Sequence, residues 1–213
     1  MDSLVVIFVL VIAYLLGGIP FGLIVARAYG VKDIRSHGSG NIGATNVWRT
    51  VGPKAALWVY VGDIGKGILA VLIARTVTQG FMPTDYLLVL TALVAIAGHV
   101  FPIYLSFKGG KGVNTALGVM ISLLPWHTLV ALAVFIITVV ASKYISLGSV
   151  IASLSLFFST LLEKLFLDPN RSSIYTILTA LIMLLVIYTH RANLARIRAG
   201  SENRFSLSRR GRE

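Results

Sequence analysis

The chain has 213 residues, of which 56% are hydrophobic and 13% charged, and its mean hydropathy is +0.85. This composition excludes an ordinary soluble domain, and the absence of cysteine excludes disulfides, cysteine nucleophiles and thiolate metal sites. The net charge of +11 comes from basic residues in short segments between apolar runs, which is typical of membrane loops and not of a nucleic-acid-binding surface.

Apolar runs that approach or reach the ~20 residues needed to cross a bilayer predict an all-α, polytopic membrane protein. These runs lie near 3–26, 55–75, 86–105, 128–141, 147–166 and 174–189. No basic segment precedes the first run, so we expect a retained helix and not a cleaved signal peptide.

The distribution of Lys and Arg predicts the orientation of the helices. Basic residues concentrate in 27–54, at Lys108 and Lys111, at Lys143, and from residue 191 onward. The positive-inside rule therefore places these segments in the cytoplasm and the amino terminus outside. Three helices then precede Lys108, and an even number must lie between Lys111 and residue 191.

The apolar stretch that follows Lys111 must supply the extra crossing. Pro125 and Trp126 favour a break at "LLPWHT", because proline disfavours helix at the preceding residue and tryptophan prefers a membrane interface. The break gives seven helices in all, the last four near 113–124, 127–141, 147–166 and 173–190. A five-helix arrangement, in which 113–141 crosses once and a later piece does not cross, also satisfies parity.

Four polar segments share the predicted cytoplasmic face. They read "HGSGNIGATNVWRT" at 37–50, "SFKGGKGVNT" at 106–115, "KYISLGS" at 143–149 and "THRANLARIRAGSE" at 189–202. Glycines let backbone N–H groups approach an anion, while hydroxyls, amides and cations add hydrogen bonds and charge, so we expect a phosphate-binding site. Ordinary turns, helix caps and topology signals remain the alternative reading of each segment. "FKGGKG" lacks the spacing of a nucleotide-hydrolysing P-loop.

Ionisable residues inside the helices are further candidates. Asp63 and Lys66 lie three residues apart on one helix face, where a buried ion pair that fixes helix packing is at least as well supported as catalysis. His99 and His190 lie near predicted cytoplasmic helix ends. Two roles are open for each, a general base or a polar residue at the membrane interface. His127, beside Trp126, is expected at the external interface.

Three of these segments resemble a known enzyme family. "SGNIGATNVWR", "GHVFPIYLSFKGGKGVNTALG" and "HRANLARIRAGSE" are similar, in this order, to the three signatures of the bacterial acyl-phosphate:glycerol-3-phosphate acyltransferases. The resemblance implies an enzyme of the inner membrane, with its site on the cytoplasmic face, that transfers a fatty acyl group from acyl phosphate to glycerol 3-phosphate. The products would be lysophosphatidic acid and phosphate, in phospholipid synthesis.

The resemblance also implies roles for individual residues. The expected catalytic residues are Ser39, Arg49, Lys111, His190 and Asn193. The expected substrate-binding residues are Asn41, Thr45, Asn46, Lys108, Gly109, Gly110, Gly112 and, with less support, Ser146. A structural role is expected for Glu202, Asp63 and Lys66. No metal or cofactor is expected.

Acyl phosphate carries a good leaving group, so we expect direct transfer without an acyl-enzyme. The proton of the attacking hydroxyl would pass to a substrate phosphate oxygen or to His190, with Arg49 and Lys111 balancing the anionic charge. No histidine is followed by an aspartate in the His-x4-Asp spacing of another acyltransferase class. The alternative function is a membrane transporter of a small organophosphate.

The remaining expectations concern domains and partners. We expect one membrane domain over 1–202 and a mobile basic tail over 203–213 that is attracted to anionic lipid headgroups. Membrane lipids and a soluble synthase that supplies acyl phosphate are the expected partners, and no nucleic acid is expected.

Overall fold

The structure, a computed structural model, describes residues 3–77, 84–170 and 172–205, and it contains no β-strand among them. The α-helices are α1 (Ser3–Gly18), α2 (Phe21–Ala28), α3 (Ala44–Thr50), α4 (Pro53–Val77), α5 (Thr84–Val100), α6 (Val113–Leu123), α7 (Pro125–Ser142), α8 (Ile145–Leu162), α9 (Ser173–Thr189) and α10 (Arg191–Arg198). Short 3-10 helices occupy Ile34–Ser36 and Ile103–Leu105, and a π-helical turn at Glu163–Leu167 extends α8. The all-α prediction is confirmed.

Most helices are suited to a bilayer. By length and composition, five helical segments of the described chain can cross a membrane, namely Ser3–Ala28, Pro53–Val77, Asp85–Leu105, Pro125–Ser142 and Ile145–Leu167. A sixth is added if α9 and α10, which meet at a bend of 55°, count as one span. Helix α6 is apolar but has only 11 residues, a length of roughly 17 Å against the ~30 Å of a hydrocarbon core.

The helix break predicted at "LLPWHT" is present, because α6 ends at Leu123 and α7 begins at Pro125. Proline has no backbone N–H and a fixed φ, so it is well suited to begin a helix and poorly suited to continue one. Residue 124 is therefore the only residue between the two helices.

The chain divides into two compact units, Met1–Pro125 and Trp126–Glu213. In the first unit α1 packs along α5, and α4 packs along α6. The α4–α6 contact is close because each helix presents a glycine to the other's backbone. A Cβ on Gly67 would lie 2.5 Å from the Thr115 carbonyl oxygen, and one on Gly118 would overlap the Ile64 carbonyl oxygen. Small residues that let backbones approach are typical of helix interfaces in membranes.

The first membrane segment is broken where Pro20 follows Ile19. The Ile19 carbonyl lies at this break, and it accepts a hydrogen bond of 2.8 Å from Nζ of Lys66 in α4. A carbonyl released by a helix break inside a membrane needs such a partner, since lipid offers none. Lys66 therefore stabilises the break between α1 and α2.

In the second unit α8 packs along α9, where the Thr160 and Thr179 hydroxyl oxygens are 2.8 Å apart. His127, near the start of α7, has Nδ1 3.0 Å from the Ser159 hydroxyl and Nε2 2.9 Å from the Glu163 carboxylate. His127 thus connects α7 to the end of α8.

The predicted division into 1–202 and a tail stays a prediction, and residues 206–213 of that tail lie outside the described residues. The start of the tail is described as far as Phe205. The Phe205 N–H donates to the Lys143 carbonyl at 2.6 Å, and the Arg204 guanidinium lies 5.9 Å from the centroid of the Tyr144 ring. Residues 204 and 205 therefore contact the turn between α7 and α8.

Candidate active site

The polar loop at 37–50 is organised by one buried amide, that of Asn46. Its Oδ1 accepts a hydrogen bond of 2.8 Å from the Ser39 N–H. Its Nδ2 donates to the carbonyl oxygens of Ile34, His37 and Asn41 at 3.2, 3.0 and 2.8 Å. Because Asn46 is 1% exposed and both ends of its amide bind backbone, its role is to hold the loop. The predicted substrate contact through Asn46 stays a prediction beside this observed role in the loop.

The chain before this loop is fixed by an ion pair. The Asp33 carboxylate accepts hydrogen bonds from the Arg35 guanidinium at 2.7 to 3.1 Å and from the Arg35 N–H at 2.9 Å. These bonds lower the pKa of the Asp33 carboxyl to about 2. Asn41 accepts from the Gly43 N–H at 2.8 Å, an Asx turn that leads into α3.

The two predicted catalytic residues of this loop, Ser39 and Arg49, are both exposed. Thr45 shares a hydrogen bond with the hydroxyl of Tyr60 on α4, and that hydroxyl lies in the field of the Arg49 guanidinium. Tyr60 thus connects Thr45 to helix α4. The sequence gives no signal for this contact, because Tyr60 lies outside every motif.

The glycine-rich loop at 108–112 folds back against the end of α5. The Gly109 N–H donates to the Val100 carbonyl and the Gly110 N–H to the His99 carbonyl, both at 3.1 Å. Gly110 is buried, and the three heavy atoms nearest to a Cβ built on it all belong to the His99 ring. No larger residue fits there unless the ring moves. Lys108 is exposed and Lys111 is half-buried.

A buried polar cluster lies beneath this loop. Nζ of Lys66 is 2.7 Å from Oδ1 of Asp63, and both side chains are 2% exposed. The same carboxylate oxygen lies 3.5 Å from Nδ1 of His99, which is 3.2 Å from the Thr115 hydroxyl. The geometry agrees with the ion pair that was expected for Asp63 and Lys66 and adds His99 to it.

A hydrophobic cluster lies under the first loop and includes Ile34, Ile42 and Val47. Leu105, the residue before the second polar segment, packs against this cluster. The chain that leads into the second segment therefore contacts the apolar support of the first loop.

In the second unit the third motif forms a turn that folds back on itself. Helix α10 ends in a Schellman turn, in which the Gly200 N–H donates to the Ile197 carbonyl and the Ser201 N–H to the Arg196 carbonyl. Gly200 has φ +70°, the left-handed conformation that glycine tolerates best. The turn sends the chain back toward α10 and buries Glu202.

Glu202 accepts hydrogen bonds from three side chains. Its Oε1 accepts from the Ser146 hydroxyl at 2.9 Å and from Asn193 Nδ2 at 2.7 Å, and its Oε2 accepts from Arg196 Nε at 2.8 Å. Burial raises the pKa of this carboxyl, but the three hydrogen bonds and the Arg196 charge outweigh burial and hold the pKa below its ordinary value. These bonds connect the turn to α8 and α10, and the structural role expected for Glu202 stays a prediction.

This carboxylate network includes one predicted site residue and adds another residue. Ser146 is buried and donates its hydroxyl proton to Glu202, which holds the turn. Its predicted substrate contact stays a prediction. Arg196 was not predicted. The sequence does carry a signal for such a contact. Glu202 is the one acidic residue of 189–202, and the same segment carries Arg191, Arg196, Arg198 and His190.

His190 lies at the bend between α9 and α10 and is buried. Its Nδ1 is 2.8 Å from the Val186 carbonyl oxygen. A carbonyl only accepts hydrogen bonds, so Nδ1 carries the proton, and Nε2 is the nitrogen of the neutral ring that can take up a proton. This tautomer is the one that a general base at Nε2 requires.

The model of the glycerol-3-phosphate acyltransferase family matches residues 7–200, which include the first two polar motifs, the third as far as Gly200, and the buried cluster. The chain belongs to the glycerol-3-phosphate acyltransferase family. A glycerol-3-phosphate acyltransferase from Geobacter sulfurreducens is 47% identical over 195 residues, which cover 91% of this chain and 94% of the relative. One from Geotalea daltonii is 45% identical over 194 residues, with the same coverage.

Solved structures support the same assignment. The fold matches a crystal structure of PlsY (YgiH), an integral membrane glycerol 3-phosphate acyltransferase, in its glycerol 3-phosphate form. The TM-score is 0.84 at 36% identity, over 94% of this chain and 96% of that one. The lysophosphatidic acid form of PlsY matches with a TM-score of 0.82 at 35% identity. The chain is thus a membrane acyltransferase, and no comparison supports the organophosphate transporter.

As a member of this family, the chain has its predicted site residues in two places. The first unit holds Ser39, Asn41, Thr45, Arg49 and the lysine and glycine residues of 108–112, and the second unit holds Ser146, His190, Asn193 and Glu202. Among the described residues no group of three or more His, Cys, Asp or Glu side chains is placed to hold a metal ion.

Proposed function

We propose that this chain transfers a fatty acyl group from acyl phosphate to glycerol 3-phosphate and releases lysophosphatidic acid and inorganic phosphate. The observation that carries the proposal is the match of the family model across residues 7–200, which include the anion-binding loops and His190. The solved PlsY structures include a glycerol 3-phosphate form and a lysophosphatidic acid form, which are the acceptor and the lipid product of this reaction.

The reaction is a direct displacement at the acyl carbonyl. A hydroxyl oxygen of glycerol 3-phosphate bonds to the carbonyl carbon of acyl phosphate, the bond from that carbon to the phosphate oxygen breaks, and phosphate leaves with the electron pair. The hydroxyl proton passes to His190 Nε2 or to a phosphate oxygen of the substrate. The leaving group is already a stabilised anion, so no strong acid is needed.

The cationic side chains balance the charge of two phosphates. Arg49 offers a planar pair of donors that suits a phosphate, and Lys111 offers a point charge beside the glycine loop. Ser39 adds a hydroxyl. Gly109, Gly110 and Gly112 carry no side chain and let an anion come close to the loop, although the N–H groups of Gly109 and Gly110 donate to carbonyls of α5. Asn193, which donates to Glu202, positions the helix that follows His190.

The proposed location is the inner membrane, with seven crossings, the amino terminus outside and the site on the cytoplasmic face. The positions of the apolar runs in the sequence and the distribution of Lys and Arg support this arrangement, because the positive-inside rule orients the helices. Helix α6 is short for a crossing, so its passage requires local thinning of the bilayer or support from α4, along which it packs.

The absence of cysteine in the sequence makes the number of crossings directly testable. We expect that Trp126→Cys in intact cells is labelled by a membrane-impermeant maleimide, while Lys143→Cys is labelled only after the membrane is opened. Protection of Trp126→Cys in both states would favour the five-helix arrangement.

The activity is tested by supplying purified protein in detergent or liposomes with acyl phosphate and radiolabelled glycerol 3-phosphate. We expect labelled lysophosphatidic acid with acyl phosphate and none with acyl-CoA. Equal rates with the two donors would overturn the donor assignment. Uptake of labelled glycerol 3-phosphate into sealed vesicles without lipid product would overturn the enzyme reaction. A soluble synthase of acyl phosphate is the partner that this donor requires.

A further inference from the structure

His99 connects two features that the reaction by itself leaves apart, the glycine loop and the ion pair inside the membrane. It is 4% exposed, at the end of α5, and its two ring edges face different groups. Nδ1 lies 3.2 Å from the Thr115 hydroxyl and 3.5 Å from Oδ1 of Asp63. The Nε2 edge lies under Gly110, where it occupies the space that a Cβ would need.

The glycine loop needs such support because the chain that leads into it is strained. Ser106 and Phe107 have φ of 49° and 62°, in the left-handed region that residues with a Cβ adopt only when their surroundings require it. The loop returns to α5 through the two hydrogen bonds from Gly109 and Gly110 to the Val100 and His99 carbonyls. His99 therefore belongs to the same end of α5 to which the loop is hydrogen-bonded.

The loop is connected to His99 in two ways. The Gly110 N–H donates to the His99 carbonyl in the last turn of α5, and Thr115, in the first turn of α6, has its hydroxyl within reach of Nδ1. Asp63 is fixed in turn by Lys66, whose Nζ also holds the Ile19 carbonyl. A carboxylate at one ring nitrogen sets the orientation of an imidazole and so the direction of the other nitrogen.

We propose that His99 is a positioning residue for the phosphate loop at 109–112, and that the Asp63–Lys66 pair acts on catalysis through it. The proposal rests on the proposed function, in which this loop binds a substrate phosphate. The ring fixes the position of the Gly110 backbone, and the ion pair fixes the orientation of the ring. The intramembrane charges therefore serve substrate binding as well as helix packing.

The test is a steric double-mutant cycle between His99 and Gly110. Asparagine at 99 keeps a polar atom near the position of Nδ1 but removes the atoms of the ring that meet Gly110. We expect Gly110→Ala to lower kcat/KM by roughly 100-fold or more, and His99→Asn by about 10-fold. The double variant His99→Asn, Gly110→Ala should be more active than Gly110→Ala alone, because the shortened side chain makes room for the new methyl group.

The kinetic signature separates positioning from a general loss of fold. We expect His99→Asn to raise KM about tenfold for one of the two phosphate substrates and to leave KM for the other nearly unchanged, with normal insertion and helical content. Thr115→Val, which removes one Nδ1 contact while keeping the shape, should show the same KM pattern in weaker form. Thr91→Val is the matched control, since this buried hydroxyl on α5 has no hydrogen-bond partner in the described structure.

The outcomes are distinct. Wild-type protein that makes no lysophosphatidic acid would refute the proposed function. If the wild type is active, two results would overturn the positioning role of His99. One is a double variant whose loss in kcat/KM equals the product of the losses of His99→Asn and Gly110→Ala. The other is a change in kcat alone for His99→Asn and Thr115→Val. If His99→Asn does not insert, the Thr115→Val kinetics decide between the two results.

Discussion

Replacing Glu202 with glutamine changes one atom of a carboxylate that accepts hydrogen bonds from three side chains. The side-chain oxygen of glutamine can keep the contacts of Oε1 with Ser146 and Asn193. Its amide NH2 then faces Nε of Arg196, which also donates, so the 2.8 Å bond to Oε2 is lost. The variant therefore removes the charged contact and leaves the shape of the site unchanged.

The expected loss of stability follows from these contacts. A hydrogen bond to a charged group contributes about 1.5–3 kcal/mol, but the Arg196 side chain is 42% exposed and can turn to water. We therefore expect Glu202→Gln to lower the free energy of unfolding by about 2 kcal/mol. Glu202→Ala also strands the buried Ser146 and Asn193 donors, at about 1–3 kcal/mol each, so we expect a loss of about 4 kcal/mol.

The loss should depend on pH with a definite sign. The folded-state pKa of Glu202 lies below its ordinary value of 4.5, so the carboxylate stabilises the fold fully above about pH 4.5. This contribution disappears as the pH falls through the lowered pKa. The difference in stability between wild type and Glu202→Gln should therefore be constant near neutral pH and shrink below about pH 4.5.

Thermal unfolding in detergent, followed by circular dichroism, measures both effects. A loss of about 2 kcal/mol corresponds to a midpoint about 4–8 °C lower in a chain of this size. Asp168→Asn, which alters an exposed carboxylate of the same unit, is the control and should leave the midpoint unchanged. A wild-type midpoint for Glu202→Gln, or a difference that persists unchanged at pH 3, would refute the network as the basis of this turn.

Three further predictions concern other contacts. Arg49→Lys keeps the charge but loses the planar pair of donors, so we expect kcat/KM to fall about 10-fold, and about 100-fold or more for Arg49→Ala, through a raised KM for one phosphate substrate; wild-type kinetics for both would remove Arg49 from the site. Asp63→Asn or Lys66→Met alone leaves a buried partner without its counter-charge and should lower the free energy of unfolding by about 3–5 kcal/mol. The double variant Asp63→Leu, Lys66→Met should lose less in the same thermal assay, and a double variant no more stable than either single one would contradict this. Truncation after Glu202 removes the Phe205 hydrogen bond to the α7–α8 turn and should lower stability by about 1 kcal/mol with little change in kcat; inactivity of a folded, inserted truncation would count against it.

The sequence by itself determined the class of this protein, its helices and its family. Contiguous apolar runs predict membrane helices, because lipid supplies no hydrogen-bond partners and each backbone group must be satisfied within its own helix. Pro125 marked the break between α6 and α7 for an equally local reason. The three motifs identified the family because each is a continuous run of residues in one polar segment.

Only the tertiary structure decided what individual polar side chains do. Asn46 and Ser146 are residue types that often bind ligands. In the structure Asn46 donates to backbone carbonyls of its own loop, and Ser146 donates to Glu202, which lies 56 positions away in the sequence. The contact between His99 and Gly110 likewise depends on how the loop folds back onto α5. Hydrogen bonds act over about 3 Å, so the roles of these side chains depend on the packing that brings distant segments together, and no local pattern of residues contains that information.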